Sequence, residues 1–183
     1  NQMEGGIAHA RIVHRSPGLA VTIALTLATD APMQDTRAML ESHLDTIPMV
    51  KAMQVAIGDI EPTRLQLTAP LSVNLNDKGC AFGGSLVSLM TLAGWALVTA
   101  RLHDAGFAET EVFVADSEVK YKAPLWDDLI AEVVAAEGES LEDFVAAFAQ
   151  KGKARITVEA RVPLPDGGVA TSMRARYAAF AKR

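Results

Sequence analysis

Hydrophobic positions recur with two different periods along the chain, which indicates separate helices and strands. A strict alternation of apolar and polar residues covers Lys153–Val162, as expected for a strand with one buried face. Comparable strand patterns cover Met53–Ile60, Arg64–Leu71, Glu111–Ala123, Asp128–Glu137 and Val169–Phe180. Helical spacing covers Thr36–Thr46, which Pro48 would close, and Ser140–Lys151, which opens with a capping-box-like sequence.

The segment from Ser85 to Ala105 differs from the others because it is apolar nearly all round. It carries no charge between Leu86 and Val98, and a glycine that can end a helix follows it. A helix that is apolar on every side is normally buried in the middle of a domain. Its length would also suit a membrane span, but charged residues crowd its end and no second such segment accompanies it. We therefore expect a buried helix and no membrane association.

One long apolar helix among several hairpin-linked strands indicates an α+β domain rather than a parallel α/β sheet. The alternation in the strands predicts that one face of the sheet covers the helix while the other meets solvent or a partner. These features predict the hotdog fold, an antiparallel β-sheet wrapped around one long central helix. We assign this domain to residues 36–183 and treat residues 1–35 as an N-terminal extension or tail.

The N-terminal extension has three possible interpretations. Its basic residues near Arg11 precede an apolar run, Leu19–Ala28, which resembles a signal peptide without a good cleavage site. It could instead be a tail ahead of a natural start at Met33. A third possibility is an extra strand over Val21–Leu27. We favour the tail or the strand.

Composition and charge limit the classes of function that the chain could have. Half of the 183 residues are hydrophobic, which is enough to form a core, and the net charge of −5 argues against a nucleic-acid-binding domain. The single cysteine, Cys80, cannot form an internal disulfide, so the fold needs no oxidising compartment and we expect a cytoplasmic protein. The four histidines are scattered and no CxxC occurs, so no metal site is predicted.

The loop from Asn74 to Ser85 carries the most informative sequence. Gly83 and Gly84 lead directly into the long helix, whose first N–H groups have no intrahelical partner and favour negative charge. The amides of Gly83, Gly84 and Ser85 could therefore form an oxyanion hole for an attacked carbonyl group. The alternative is a tight turn that only lets the helix pack against a strand.

Polar side chains in this loop are candidates for activating water. Asp77 is the only carboxylate of the loop, and it is either a general base or a solvated turn residue beside Lys78. Asn74 and Asn76 could position a water molecule or the substrate carbonyl, although asparagine is also a common turn former. Cys80 has no histidine close in sequence to activate it as a nucleophile.

Helical spacing places further polar residues beside the glycines. Gly84, Ser88, Thr91 and Trp95 follow one another at intervals of four, three and four, so they share one face of the helix. The hydroxyls of Ser88 and Thr91 either face the site or bond back to carbonyls one turn earlier. We favour the first interpretation because the face begins at a candidate oxyanion glycine.

The segment Phe82-Gly83-Gly84-Ser85-Leu86, followed by Ala93-Gly94-Trp95 and preceded by Asn76, resembles the YiiD C-terminal-like family of hotdog thioesterases. The resemblance extends from about Thr36 to Lys182. Two positions depart from the pattern of related enzymes: Phe82 stands where many have histidine, and Thr91 stands where they place an Asp or Glu. A threonine is not a general base at neutral pH, but its hydroxyl can orient water.

The resemblance implies an acyl thioester hydrolase in which water attacks the thioester and backbone amides at the helix N-terminus stabilise the oxyanion. The predicted catalytic residues are Asp77, Asn76, Gly84 and Thr91. The predicted substrate-binding residues are Asn74, Phe82, Gly83, Ser85 and Ser88. The alternative is a non-hydrolytic module for acyl-thioester binding or dimerisation, which the missing helix carboxylate favours.

The same resemblance implies the partners. The substrate would be acyl-CoA or acyl carrier protein, with no cofactor beyond the pantetheine that belongs to the substrate itself. Hotdog domains pair, so we expect a homodimer or a dimer of dimers. Several cations after the helix could contact phosphate or an acidic carrier, although each could equally be an ordinary solvated residue: Lys120, Lys122, Lys151, Lys153 and Arg155.

Overall fold

The structure, a computed structural model, describes residues 35–182. Its strands are β1 (Ala56–Ile60), β2 (Arg64–Ala69), β3 (Thr110–Tyr121), β4 (Leu129–Ala135), β5 (Lys153–Pro163) and β6 (Val169–Ala181). Its helices are α1 (residues 35–44), α2 (Pro48–Met53), α3 (Gly83–Asp104) and α4 (Leu141–Lys151). The strands form one sheet in the order β1-β2-β4-β5-β6-β3, and every neighbouring pair is antiparallel.

Helix α3 forms the centre of the domain, and the sheet wraps around it. Leu89, Met90 and Leu97 of α3 are completely buried, as are the inward-facing residues Leu67 and Val158 of the sheet. The length and hydropathy of α3 would suit a membrane span, yet most of its apolar window is buried inside the domain. The predicted hotdog architecture is therefore confirmed, and burial accounts for the apolar composition of the helix.

Close approach between α3 and β6 depends on a glycine. A Cβ added at Gly94 would lie only 2.7 Å from the Cε2 and Cζ atoms of Tyr177, which is fully buried on β6. The Tyr177 hydroxyl donates a hydrogen bond to the carbonyl of Thr91 at 2.8 Å. Burial raises the pKa of Tyr177 above its usual value, so the hydroxyl stays protonated and remains a donor.

The expected strand over Met53–Ile60 was wrong at its beginning. Pro48 does not close the preceding helix but occupies the first turn of a second one, α2, where its missing N–H costs nothing. Gln54 then ends α2 in a left-handed conformation, with φ of 54°, and strand β1 starts only at Ala56. The strand considered for Val21–Leu27 lies outside the described residues.

Strand β3 forms one edge of the sheet. Over its twelve residues it pairs with β6 on one side, and its other side has no neighbour among residues 35–182. Three large apolar residues on this strand are exposed: Phe113, Val114 and Tyr121. A long exposed edge of this kind is a template for pairing with another chain.

Candidate active site

Hydrogen bonds hold the loop before α3 in a fixed shape. The amide of Phe82 donates to the carbonyl of Asn74 at 2.7 Å, and the amide of Asn76 donates to the carbonyl of Cys80 at 2.8 Å. The amide of Ala81 donates to the carbonyl of Leu125 at 2.8 Å, which ties the loop to the segment before β4. Phe82 therefore enters the helix in an extended conformation, and α3 starts at Gly83.

The first three amides of α3 belong to Gly83, Gly84 and Ser85. The next amide, that of Leu86, is the first with an intrahelical acceptor, the carbonyl of Phe82 at 3.1 Å. Phe82 provides no side-chain cap, and the first turn contains no acidic residue. Among residues 35–182, no side-chain or loop acceptor satisfies these three amides, so they and the positive end of the helix dipole remain available to a developing negative charge.

A cavity of about 240 Å³ opens beside these amides. It is lined by Met49, Ala52, Met53, Val73, Asn74, Phe82, Gly84, Ser85 and Ser88. Five of these were candidate site residues: Asn74, Phe82, Gly84, Ser85 and Ser88. The fold thus gathers most of the predicted substrate-binding residues, together with Gly84, around one small space. No ionisable side chain lies among the residues that line it.

Asn74 is the more deeply buried of the two buried polar residues, Asn74 and Ser85, that line this cavity. Its Nδ2 atom donates to the carbonyls of Met53, at 3.0 Å, and Pro70, at 2.8 Å. Because both partners are acceptors, the amide group cannot turn around without opposing oxygen to oxygen. Its Oδ1 atom is buried and accepts no hydrogen bond from any described residue. A buried acceptor without a donor is costly, so this oxygen is suited to a donor on a ligand or water.

Asn76 and Asp77 lie outside the cavity lining. The Oδ1 atom of Asn76 accepts from the amide of Lys78 at 2.8 Å, and its Nδ2 lies 3.1 Å from the Cys80 Sγ atom. Asn76 thus shapes the turn with its side chain. The Asp77 side chain is 79% exposed and pairs with the Lys78 ammonium at 2.9 Å. This geometry fits the alternative in which Asn76 and Asp77 are turn residues and do not activate water.

Thr91 and Gly83 also lie outside the cavity lining. The Thr91 hydroxyl points towards Met173 on β6, with 3.8 Å between Oγ1 and Sδ. The carbonyl of Gly83 accepts a hydrogen bond from the Tyr121 hydroxyl at 3.2 Å, which joins the end of β3 to the start of α3. The two hydroxyl residues expected on one face of α3 therefore have different surroundings. Ser88 lines the cavity, whereas Thr91 packs against the sheet.

The sequence did not predict that α2 forms one wall of the cavity. Met49, Ala52 and Met53 line the cavity from this short helix, and Tyr121 supports the start of α3 from β3. Pro48 followed by apolar residues at helical spacing was the available signal for α2. Nothing in the sequence indicated Tyr121, because its contact depends on how β3 returns past the helix. Among residues 35–182, no group of potential ligands suits a metal ion.

A family model described as "Putative thioesterase (yiiD_Cterm)" matches residues 36–181. The match includes the loop, the central helix and all six strands.

Solved structures show the same fold. A Chlorobaculum tepidum protein of unknown function is 30% identical, with a TM-score of 0.74 over 82% of this chain and 97% of that one. A Shewanella oneidensis protein described as a "putative thioesterase" is 23% identical, with a TM-score of 0.70 over 82% of this chain and 99% of that one. A Haemophilus influenzae thioesterase is 12% identical, with a TM-score of 0.57 over 73% and 82%. The last two similarities concern the fold alone.

Proposed function

The chain belongs to the YiiD C-terminal family of hotdog thioesterases, and we propose that it hydrolyses acyl thioesters carried by coenzyme A or by an acyl carrier protein. The observation that carries this proposal is the cavity at the start of α3, which Asn74, Gly84 and Ser85 line and beside which the first amides of the helix have no acceptor among residues 35–182. Such a site offers donors to a carbonyl oxygen and an acceptor to a water molecule.

In the proposed reaction, water adds to the thioester carbonyl carbon. The carbonyl oxygen becomes an oxyanion that accepts hydrogen bonds from the Gly84 and Ser85 amides, and the N-terminus of α3 favours its charge. The Asn74 Oδ1 atom and the Ser88 hydroxyl accept hydrogen bonds from the attacking water and so orient it. Collapse of the tetrahedral intermediate breaks the carbon–sulfur bond, and the proton lost by the water ends on the departing thiolate.

The acyl chain would lie against the apolar wall of the cavity. Met49, Val73 and Phe82 are each substantially exposed at its mouth. At about 240 Å³ the cavity is smaller than the roughly 300–1,000 Å³ usual for ligand sites. We therefore propose that a second copy of the chain, paired along β3 in a homodimer, completes the site, since Tyr121 at the end of β3 contacts Gly83.

The experiment that tests this proposal compares Gly84→Pro with Gly84→Ala in a thiol-release assay. Proline is tolerated in the first turn of a helix and removes one amide donor, whereas alanine retains that donor. Either side chain meets the same obstacle, the exposed ring of Phe82, whose Cε1 atom would be closest to the added Cβ and whose Cζ atom would lie 2.9 Å from it. The difference between the two variants therefore isolates the N–H group.

We expect kcat for acyl-CoA to be about 10²- to 10³-fold lower in Gly84→Pro than in Gly84→Ala. Equal rates in the two variants would remove this amide from the oxyanion hole. Circular dichroism and thermal unfolding of both variants show whether α3 remains intact, so that a folding defect is not mistaken for a catalytic one.

A non-hydrolytic acyl-thioester-binding module is the second candidate function. The observation in its favour is that no carboxylate or histidine is among the residues that line the cavity. Saturable binding of acyl-CoA by calorimetry, without thiol release at short, medium or long chain lengths on either carrier, would establish this function and overturn the proposed hydrolysis.

A further inference from the structure

The aromatic ring of Phe82 occupies the place where a side chain at position 84 would lie. A Cβ added at Gly84 would meet three atoms of this ring: it would be closest to Cε1, and it would lie 2.9 Å from Cζ and 3.1 Å from Cδ1. The ring can take this position only because residue 84 is a glycine. The backbone that carries the ring is held in place, since the amide of Phe82 donates to the carbonyl of Asn74 at 2.7 Å.

This position places the ring beside the free amides of α3. In an α-helix the Cα–Cβ bonds tilt towards the N-terminus, and the unpaired N–H groups of the first turn point in the same direction. A ring in the place of the missing Gly84 side chain therefore forms a wall next to the Gly84 amide. Both Phe82 and Gly84 line the cavity at the start of the helix.

Short distances make this wall a constraint on the reacting end of the substrate. A carbonyl oxygen bound to the Gly84 amide would lie about 2.9 Å from the nitrogen, which is about 1.5 Å from the α-carbon that the ring covers. The substrate atoms nearest to the ring are then the carbonyl carbon and its first substituent. Because Met49, Met53 and Val73 extend the apolar lining, that substituent would be C2 of the acyl group rather than the polar pantetheine.

We propose that Phe82 is a specificity-determining residue that restricts the substrates to acyl thioesters unbranched at C2, the carbon next to the carbonyl. This inference rests on the proposed thioesterase function. A methylene group at C2 can lie against the ring, whereas a methyl branch there needs space that the ring fills. One additional carbon in an apolar pocket changes specificity by about 10- to 200-fold. We expect the lower end of this range because Phe82 is 53% exposed, so its ring has room to move.

Butyryl-CoA and isobutyryl-CoA test the proposal, because they have the same composition and differ in the branch at C2. For the unchanged protein we expect kcat/KM to be about tenfold higher with butyryl-CoA, and in Phe82→Ala the preference should fall below about threefold. Phe82→Leu, which keeps a smaller apolar side chain, should give an intermediate preference and replaces Phe82→Ala if that variant does not fold. A preference that is absent from the unchanged protein, or that persists in Phe82→Ala, would overturn the inference.

Two controls separate this specificity from a general loss of structure. Phe180→Ala removes another exposed ring, one that does not line the cavity, and should keep the full preference for butyryl-CoA. Valeryl-CoA and isovaleryl-CoA differ in a branch at C3, so Phe82→Ala should alter their ratio less than the ratio for the C2 pair. An equal fall in kcat/KM with all four substrates would make Phe82 a merely structural residue and overturn its proposed role.

Binding separates this inference from the proposed hydrolysis. Ketone analogues, in which a methylene group lies between the sulfur and the carbonyl, cannot be hydrolysed and present the same two acyl groups: 2-oxopentyl-CoA and 3-methyl-2-oxobutyl-CoA. By calorimetry we expect the unbranched analogue to bind about tenfold more tightly, and Phe82→Ala to remove the difference. A chain that shows this difference but releases no thiol would retain the inference and lose the proposed function. Thiol release without discrimination between the branched and unbranched groups would retain the proposed function and overturn the inference.

Discussion

At the scale of single residues, Asn74 and Asp77 show how local surroundings separate side chains that lie three positions apart. Asn74 is 2% exposed, and its amide nitrogen joins the end of α2 to the start of the loop through two carbonyls. Asp77 projects into solvent beside Lys78. The first arrangement fixes a buried amide group in the lining of the cavity, whereas the second leaves a carboxylate exposed to solvent.

Replacing Asn74 tests its structural contribution. We expect Asn74→Ala to lower the free energy of unfolding by about 1–3 kcal/mol, because the carbonyls of Met53 and Pro70 would lose a buried donor. Urea denaturation measures the change. Ser72→Ala, at an exposed position just before, is the control and should stay within about 0.5 kcal/mol of the unchanged protein. A small effect at Asn74 would mean that water replaces its donor.

Replacing Asp77 decides whether the loop carboxylate is the general base. Its exposure and its pairing with Lys78 lead us to expect that Asp77→Asn changes kcat by less than about tenfold and leaves stability nearly unchanged. A general base contributes about 10²- to 10⁴-fold, so the two roles are well separated in a steady-state assay. A loss in that range would establish Asp77 as the base and require the loop or a second subunit to bring it to the cavity.

At the scale of elements, the packing of α3 on β6 positions the start of the helix. Gly94 lets Tyr177 lie against the helix backbone, and the Tyr177 hydroxyl holds the carbonyl of Thr91. The hydroxyl of Thr91 faces the same strand. Thr91 therefore takes part in helix–sheet packing, at the position where related enzymes place a carboxylate.

A methyl group at Gly94 should disturb this packing. We expect Gly94→Ala to lower the free energy of unfolding by about 1–3 kcal/mol, because the buried Tyr177 ring has no space to move away. Thermal or urea unfolding measures the loss. The same substitution in a Tyr177→Phe background should cost less, since the hydroxyl is one of the atoms that the methyl group meets. If the two substitutions lower the free energy of unfolding additively, the contact between the added methyl group and the Tyr177 hydroxyl is not the cause of the loss.

At the scale of the whole molecule, β3 is an edge strand of the sheet formed by residues 35–182, and its last residue lies beside the candidate site. Tyr121 joins this edge to the first residue of α3. Two copies paired along β3 would form one continuous sheet and bring both helix N-termini to the region between the subunits.

A charge on this edge should weaken the proposed homodimer. We expect Val114→Lys to shift the protein towards monomer in sedimentation velocity, because it would place two like charges near each other at the centre of the paired strands. Val134→Lys on β4 is a matched control, since the two valines are 43% and 41% exposed. A protein that is monomeric before substitution, or a dimer that Val134→Lys disrupts equally, would contradict pairing along β3.

The sequence by itself determined most of the elements and the fold class, although it missed helix α2. The alternation in Lys153–Val162 follows from burial of one face of a strand, and the apolar character of α3 follows from burial on all sides. Both can be predicted because buried positions are occupied by apolar residue types. The glycines before α3 located the helix start to within two residues. Pro48 was misinterpreted because the same residue can close one helix or open the next, and only the chain's path after it distinguishes the two.

Tertiary structure decided which polar residues share a site. Asn74 and Asn76 are indistinguishable as loop asparagines, yet the first is buried in the lining of the cavity with an unpartnered oxygen and the second completes a turn. Likewise, Met49 and Tyr121 reach the site from elements distant in sequence. Periodicity records whether a residue is buried, whereas the partners of a side chain depend on which elements the sheet brings together around α3.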